Sequence, residues 1–216
     1  MGHIITIVDY GRSNLLSVQR GFEYWGNRVN YAQTAEEILA AKALVLPGVG
    51  AFDDSMALLH QKGLSAAICE KAAQGTAIFG ICLGLQMFFE ESAEGGKQKG
   101  LGLLAGKVEP LPPTDTEGNP LAVPSIGWHS ITPCPSPGFG ELLPQQPAQG
   151  EYYFVHSYHA VPKDTSHVAA FYLYGGHKIC AAVAKDNLFA TQFHPEKSGK
   201  VGLQLIRRFC QTLPPR

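Results

Sequence analysis

Apolar residues in the first half of the chain alternate between short unbroken runs and runs spaced at helical intervals. His3 to Val8 is a β-branched run that stops at Asp9-Tyr10-Gly11, the pattern of a buried strand followed by a loop. Leu15, Val18, Phe22 and Trp25 then fall on one helical face, which predicts a helix to about Trp25 capped by Ser13 or Asn14. A short strand near Arg28–Tyr31 follows. Thr34 with Glu37 forms a capping box for a helix through Ala40. Ala43-Leu44-Val45-Leu46 reads as a second buried strand closed by Pro47, and Asp53–Gln61 and Leu64–Gln74 read as helices. Thr76 to Ile81 is a further buried run, and a helix from Cys82 to about Glu90 is predicted after it.

Strand and helix alternating in this way predict an α/β fold, a parallel sheet with helices on both faces. The second half reads differently. From Gly106 onward, loops rich in Pro, Gly and Thr separate the runs Ser125–Thr132, Tyr152–Tyr158, His167–Tyr174, Ile179–Ala184 and Leu188–Phe193. Their alternation and close spacing suit hairpins, with Gly175-Gly176 as one turn. A last helix over Gly199–Gln211 turns Val201, Leu205, Ile206 and Phe209 inward. Leu111–Pro120 and Pro133–Gln149 read as surface loops. No repeat or linker divides residues 1–216, so one domain is expected.

Composition narrows the function. Seventeen basic residues against 18 acidic ones leave a net charge of −1, which gives no footing for nucleic acid or a membrane surface. The 5 cysteines contain no Cys-x-x-Cys pair, which argues for a reducing compartment and against a zinc site. Met1-Gly2-His3-Ile4 enters a strand without a signal-peptide pattern, so a soluble cytoplasmic protein is expected.

The candidate chemistry begins at Gly80-Ile81-Cys82-Leu83-Gly84. A strand, a sharp turn and a helix, with glycine two residues before and after the central residue, is the spacing of a nucleophile elbow carrying Cys in place of Ser. Flanking side chains would collide in so tight a turn, and the following helix would favour a thiolate on Cys82. A lone apolar cysteine is more often an inert core residue. The two glycines and a distant His-Pro-Glu reverse that reading.

A thiolate needs a base, and the base needs an orienting group. Both are offered by Phe193-His194-Pro195-Glu196, where residues two apart on an extended segment share a side. His194 is then base and later acid, and Glu196 fixes its tautomer. Alone, His-Pro-Glu would be no more than a strand end with a surface carboxylate. An oxyanion needs donors: the backbone N–H of Leu83, and one from the loop Pro47-Gly48-Val49-Gly50-Ala51-Phe52, with Val49 the candidate. That loop lacks the third glycine of a dinucleotide fingerprint, and no Walker pattern is present. His156 and His159 would point to opposite faces of one strand, so no metal and no cofactor is expected. Trp128 and Tyr158 read as core aromatics on pattern alone.

Together these motifs resemble the class I glutamine amidotransferases. Within them they resemble the glutaminase subunits of imidazole glycerol phosphate synthases, over essentially the whole chain. The resemblance is carried by Val8-Asp9-Tyr10-Gly11 with Asn14, by Pro47 to Phe52, by the elbow with Gln86, and by Gly127-Trp128, Val155-His156-Ser157-Tyr158 and Gln192 to Ser198. It implies a flavodoxin-like three-layer fold, a mostly parallel central sheet with added antiparallel hairpins, and hydrolysis of L-glutamine through a Cys82 thioester. It further implies that Gly50, Gln86 and the backbone of Ser157 and Tyr158 bind glutamine. Asn14, Trp128, Tyr153 and Lys197 would meet a (β/α)8-barrel cyclase in a heterodimer that receives the ammonia. Two positions depart from the family pattern: His129 stands where Asn is usual, and Ser13 where Gly is usual. The alternatives are the glutaminase of another synthase, such as an anthranilate-type one, a cysteine peptidase-like hydrolase, or a binding subunit without catalysis.

Overall fold

The structure is a computed structural model that describes residues 2–12, 14–136, 138–143 and 150–215. Ser13 and part of the predicted loop Pro133–Gln149 lie outside them. Among these residues the first half contains β1 (Ile4–Val8), α1 (Leu15–Glu23), β2 (Arg28–Ala32), α2 (Ala35–Leu39), β3 (Ala43–Gly48), α3 (Phe52–Gln61), α4 (Leu64–Ala73), β4 (Ala77–Cys82) and α5 (Leu83–Met87). Then come β5 (Phe89–Ser92), β6 (Gln98–Lys99), β7 (Leu104–Pro110), β8 (Ser125–His129), β9 (Thr132–Pro133), β10 (Tyr152–His156) and β11 (Tyr158–Pro162). The chain closes with β12 (Val168–Tyr174), β13 (His177–Lys185), β14 (Leu188–Thr191) and α6 (Gly199–Thr212).

An eight-stranded sheet in the order β2-β1-β3-β4-β14-β13-β12-β9 forms the centre. From β2 to β14 every pairing is parallel, and from β14 to β9 every pairing is antiparallel. Successive residues of the buried strands serve opposite faces. Val45 and Phe79 join the core beneath α1 and α6, whereas Leu44, Leu46 and Ile78 join the core beneath α2 to α5. That is the expected three-layer arrangement, and it explains why these strands read as unbroken apolar runs. No helix of the described residues is long and apolar enough to cross a membrane.

Local predictions hold where side-chain chemistry is local. Thr34 and Glu37 form the capping box. Gly175 and Gly176 turn β12 into β13 with φ of 56° and 82°, the left-handed pair such a turn requires. Others change. Asn14 occupies the N-cap of α1 without a side-chain cap bond, and the helix ends at Glu23. Pro47 does not close β3, which runs on to Gly48; pairing with β1 is confined to Leu44 and Val45, so the missing N–H falls where β3 has β4 as its neighbour. The helix after Cys82 is 5 residues long and gives way at Phe89 to β5.

The second half is less a set of hairpins than expected. Tyr152–Tyr158 is not one strand: it breaks at Ser157, β10 pairing with β8 and β11 with β7. A four-stranded sheet, β11-β7-β5-β6, has no counterpart in the sequence reading. Leu188–Thr191 pairs antiparallel with β13 on one side and parallel with β4 on the other. The last pairing sets the segment after β14 beside the elbow.

Phe79, fully buried on β4, meets Phe22 at 6.4 Å and Phe189 and Phe209 at 5.1 Å between ring centroids. Phe79→Ala should lower unfolding stability by about 3–5 kcal/mol, read as a lower urea midpoint at unchanged slope.

Candidate active site

β4 delivers Cys82 at its carboxyl end, where open parallel sheets place their ligands. Cys82 adopts φ 56° and ψ −109°, a conformation that non-glycine residues rarely take. Neighbouring backbone leaves no room for flanking side chains. A Cβ on Gly84 would lie 1.8 Å from the Leu46 carbonyl oxygen, and one on Gly80 would lie 2.9 Å from the Ala190 Cβ. The glycines on either side of Cys82 are therefore steric requirements of β3 and β14 pressing on the elbow.

His194 follows β14, the neighbour of β4. Its backbone N–H donates to Tyr153 O at 2.9 Å, and its carbonyl accepts from Ser198 Oγ at 2.6 Å. Ser198 Oγ also accepts from Tyr153 N at 3.0 Å, so β10 and the His194 turn are stitched together. His194 Nδ1 and Glu196 Oε1 are 2.8 Å apart, with side chains 4% and 1% exposed. The pair meets through the 3-10 turn Pro195–Lys197, not by the strand alternation that predicted it.

Burial alone would disfavour the imidazolium of His194. The negative charge of the nearby Cys82 sulfur, reinforced by the hydrogen bond and charge of Glu196, overcomes that and holds its pKa up to about 10. His194 Nε2 is buried without a fully formed hydrogen bond, as resting sites of this type commonly are before substrate closes them.

Cys82 and His194 line one cavity of about 410 Å3, within the ~300–1,000 Å3 typical of small-molecule sites. Val49, Gly50, Leu83, Gln86, Ser157 and Tyr158 line it as well, so every residue predicted to form the oxyanion hole or bind glutamine borders the same space. Larger hollows elsewhere, such as the one between Glu90 and Lys163, are lined by no cysteine. Tyr10 Oη donates to Pro47 O at 3.1 Å, anchoring the start of the Val49 loop. Gln86 Nε2 donates to Tyr158 O at 2.9 Å and to Gln192 Oε1 at 3.1 Å. That leaves Gln86 Oε1 to accept from a ligand.

Three participants escaped the sequence reading of the site. Gln192, fully buried, directs Nε2 at Cys82 Sγ from 3.8 Å. Its signal was a glutamine at the end of an apolar strand. Glu94 lines the cavity and accepts from Phe52 N at 3.0 Å; burial raises its carboxyl pKa. It follows a strand that was not predicted. His156, read as a core or surface histidine, is 6% exposed and lines the cavity too, on β10 and separated from His159 by the break at Ser157. No cluster able to hold a metal occurs among the described residues.

Asn14, Trp128 and Lys197 are exposed and Tyr153 half-buried. Trp128, 50% exposed, is not the core aromatic its pattern suggested. Its ring stands 5.7 Å from that of Tyr153, which has Lys197 Nζ 5.9 Å from its centroid and the His194 ring 6.4 Å away.

An elbow cysteine and a buried His–Glu pair at a small cavity by the sheet's carboxyl edge define a thiol amidase class, and comparison gives it a family. Residues 6–212 match the glutamine amidotransferase class-I family, and the chain belongs to it. It is 47% identical over 206 residues to the imidazole glycerol phosphate synthase subunit HisH of Thermosynechococcus vestitus, covering 95% of each chain. It is 42% identical over 212 residues to subunit HisH 1 of Legionella pneumophila (strain Lens), covering 96% of this chain and 98% of that one. Among solved structures, PurLQS from Thermotoga maritima superposes with a TM-score of 0.71 at 19% identity, covering 99% of this chain and all of that chain, and shares the fold.

Since its pKa is raised in the folded state, His194 contributes stability that is complete below pH ~6.5 and lost as pH rises through about 10. Ring 15N NMR of the full chain should show His194 protonated well past neutral pH. Glu196→Gln should move that titration to lower pH, since it removes a negative partner.

Proposed function

We propose that this chain is the glutaminase subunit of an imidazole glycerol phosphate synthase, with residues 1–216 acting as one amidotransferase domain. The observation that carries the reading is the meeting of Cys82 with the 2.8 Å His194–Glu196 pair at one cavity. The Cys82 thiolate attacks the carboxamide carbon of L-glutamine, and the carbonyl electrons move onto oxygen. Backbone N–H groups of Leu83 and Val49 stabilise that oxyanion. As it collapses, the C–N bond breaks, His194 gives its proton to the leaving nitrogen, and ammonia departs from a thioester. His194 then takes a proton from water, whose oxygen displaces the thiolate to give glutamate. Glu196 holds Nδ1 throughout, so Nε2 stays directed at the reacting atoms.

Gln86 Oε1 and the Glu94 carboxylate suit the substrate's ammonium group. Gly50 and the backbone of Ser157 and Tyr158 suit its carboxylate. Ammonia passes directly to a (β/α)8-barrel cyclase, which uses it to make imidazole glycerol phosphate and an aminoimidazole carboxamide ribotide in histidine biosynthesis. The docking face includes Asn14, Trp128, Tyr153 and Lys197. Exposed Ile126 and Val123 near Trp128 in sequence extend its apolar character. All 5 cysteines are free thiols, in keeping with a reducing cytoplasm.

In the complex with the cyclase, Cys82→Ala should abolish glutamine-dependent synthesis and leave synthesis from added ammonium intact. Continued use of glutamine would remove Cys82 from the mechanism.

A further inference from the structure

Behind the cavity, hydrogen bonds run from a half-buried histidine to the proposed nucleophile. His156 Nδ1 lies 2.8 Å from Tyr158 O, the carbonyl that also receives Gln86 Nε2. A carbonyl oxygen can only accept, so Nδ1 carries the proton. In the neutral ring Nε2 is then an acceptor, and Tyr172 Oη, 2.8 Å away, donates to it. Ser125 Oγ stands 3.4 Å from Tyr172 Oη and 3.4 Å from His129 Nε2. Every donor can point the same way: His129 to Ser125, Ser125 to Tyr172, Tyr172 to His156, and His156 to Tyr158. Gln86 shares the Tyr158 carbonyl and links through Gln192 to the Cys82 sulfur. Chains of this polarity strengthen each member.

We propose that His156 is a positioning residue for glutamine binding: as the Nδ1–H tautomer, selected by Tyr172, it fixes the Ser157–Tyr158 backbone at the cavity wall. This rests on the glutaminase reading for its kinetic consequence, but not for the tautomer. The location explains why a histidine is needed. β10 ends at His156 and β11 begins at Tyr158, so Ser157 is the joint between two sheets. A ring that bonds the main chain two residues on closes that joint, and the hydroxyl from β12 locks the ring. Burial lowers the His156 pKa to about 4, and the nearby His159, His129 and His194 push the same way, so the ring stays neutral. The aromatic faces of Phe154, at 5.8 Å, and Tyr172, at 5.9 Å, bound it.

Two readouts test this on the full chain. Long-range 1H–15N NMR should show His156 as the Nδ1–H tautomer, and Tyr172→Phe should convert it to a mixture, because Nε2 loses its donor. In the complex with the cyclase, Tyr172→Phe and His156→Leu should raise KM for glutamine about tenfold, the equivalent of one hydrogen bond, with kcat changed much less. His156→Asn, which keeps a donor near the Nδ1 position, should recover part of that loss. An Nε2–H tautomer in the unmodified chain overturns the proposal, as does an unchanged KM in both folded variants. So does a matched fall in kcat and iodoacetamide labelling of Cys82 without a KM effect, which would mark a general collapse. If the unmodified complex turns over no glutamine, the glutaminase reading fails, and the tautomer measurement still decides the role of His156.

Discussion

Backbone crowding at the end of β4 is the constraint on which the site depends. Cys82 holds a left-handed conformation of the kind that costs on the order of 1–3 kcal/mol and survives only when its surroundings over-determine it. Here they do. β3 and β14 pair with β4 on either side, Leu46 O presses on Gly84, and Ala190 presses on Gly80. The sheet therefore holds the sulfur out at the edge, where an unconstrained turn would let it fold back into the core. The fully buried aromatic cluster around Phe79 packs directly beneath that part of the sheet.

The second feature is the division of labour between layers. The parallel half of the central sheet carries the proposed nucleophile and, through β14, the proposed base. The smaller sheets carry the walls. Ser157 joins β10 to β11, and Glu94 follows β5, so these proposed substrate contacts stand on the smaller sheets, whereas Gly50 follows β3 and Gln86 lies on α5 beside the elbow. The two parts meet at β10, whose Tyr153 main chain anchors the His194 turn together with Ser198.

What could be read from the residues follows from how local the physics is. The elbow was legible because steric demand selects glycine at fixed offsets from Cys82. Thr34 with Glu37, and Gly175 with Gly176, were legible for the same reason. The short α5 was not, because Leu85, Met87, Phe88 and Phe89 continue the apolar run and no Gly or Pro follows Gly84 before Gly95; tertiary packing converts the helix end to β5. The sheet β11-β7-β5-β6 was hidden because its strands are half-exposed, charged and glycine-containing. His194 and Glu196 were paired correctly for a partly wrong geometric reason. Gln192 and His156 went unassigned because a buried polar side chain looks the same in sequence whether it supports a core or a cavity.

β4 and β14 are neighbours in space, yet all the strands from β5 to β13 come between them in the chain. A growing or truncated chain that stops before β14 contains the elbow cysteine but neither Ala190, which presses on Gly80, nor the imidazole proposed as its base. The proposed site is thus assembled only when the last strand of the central sheet arrives, and the order of synthesis leaves the cysteine without its partners until the fold closes.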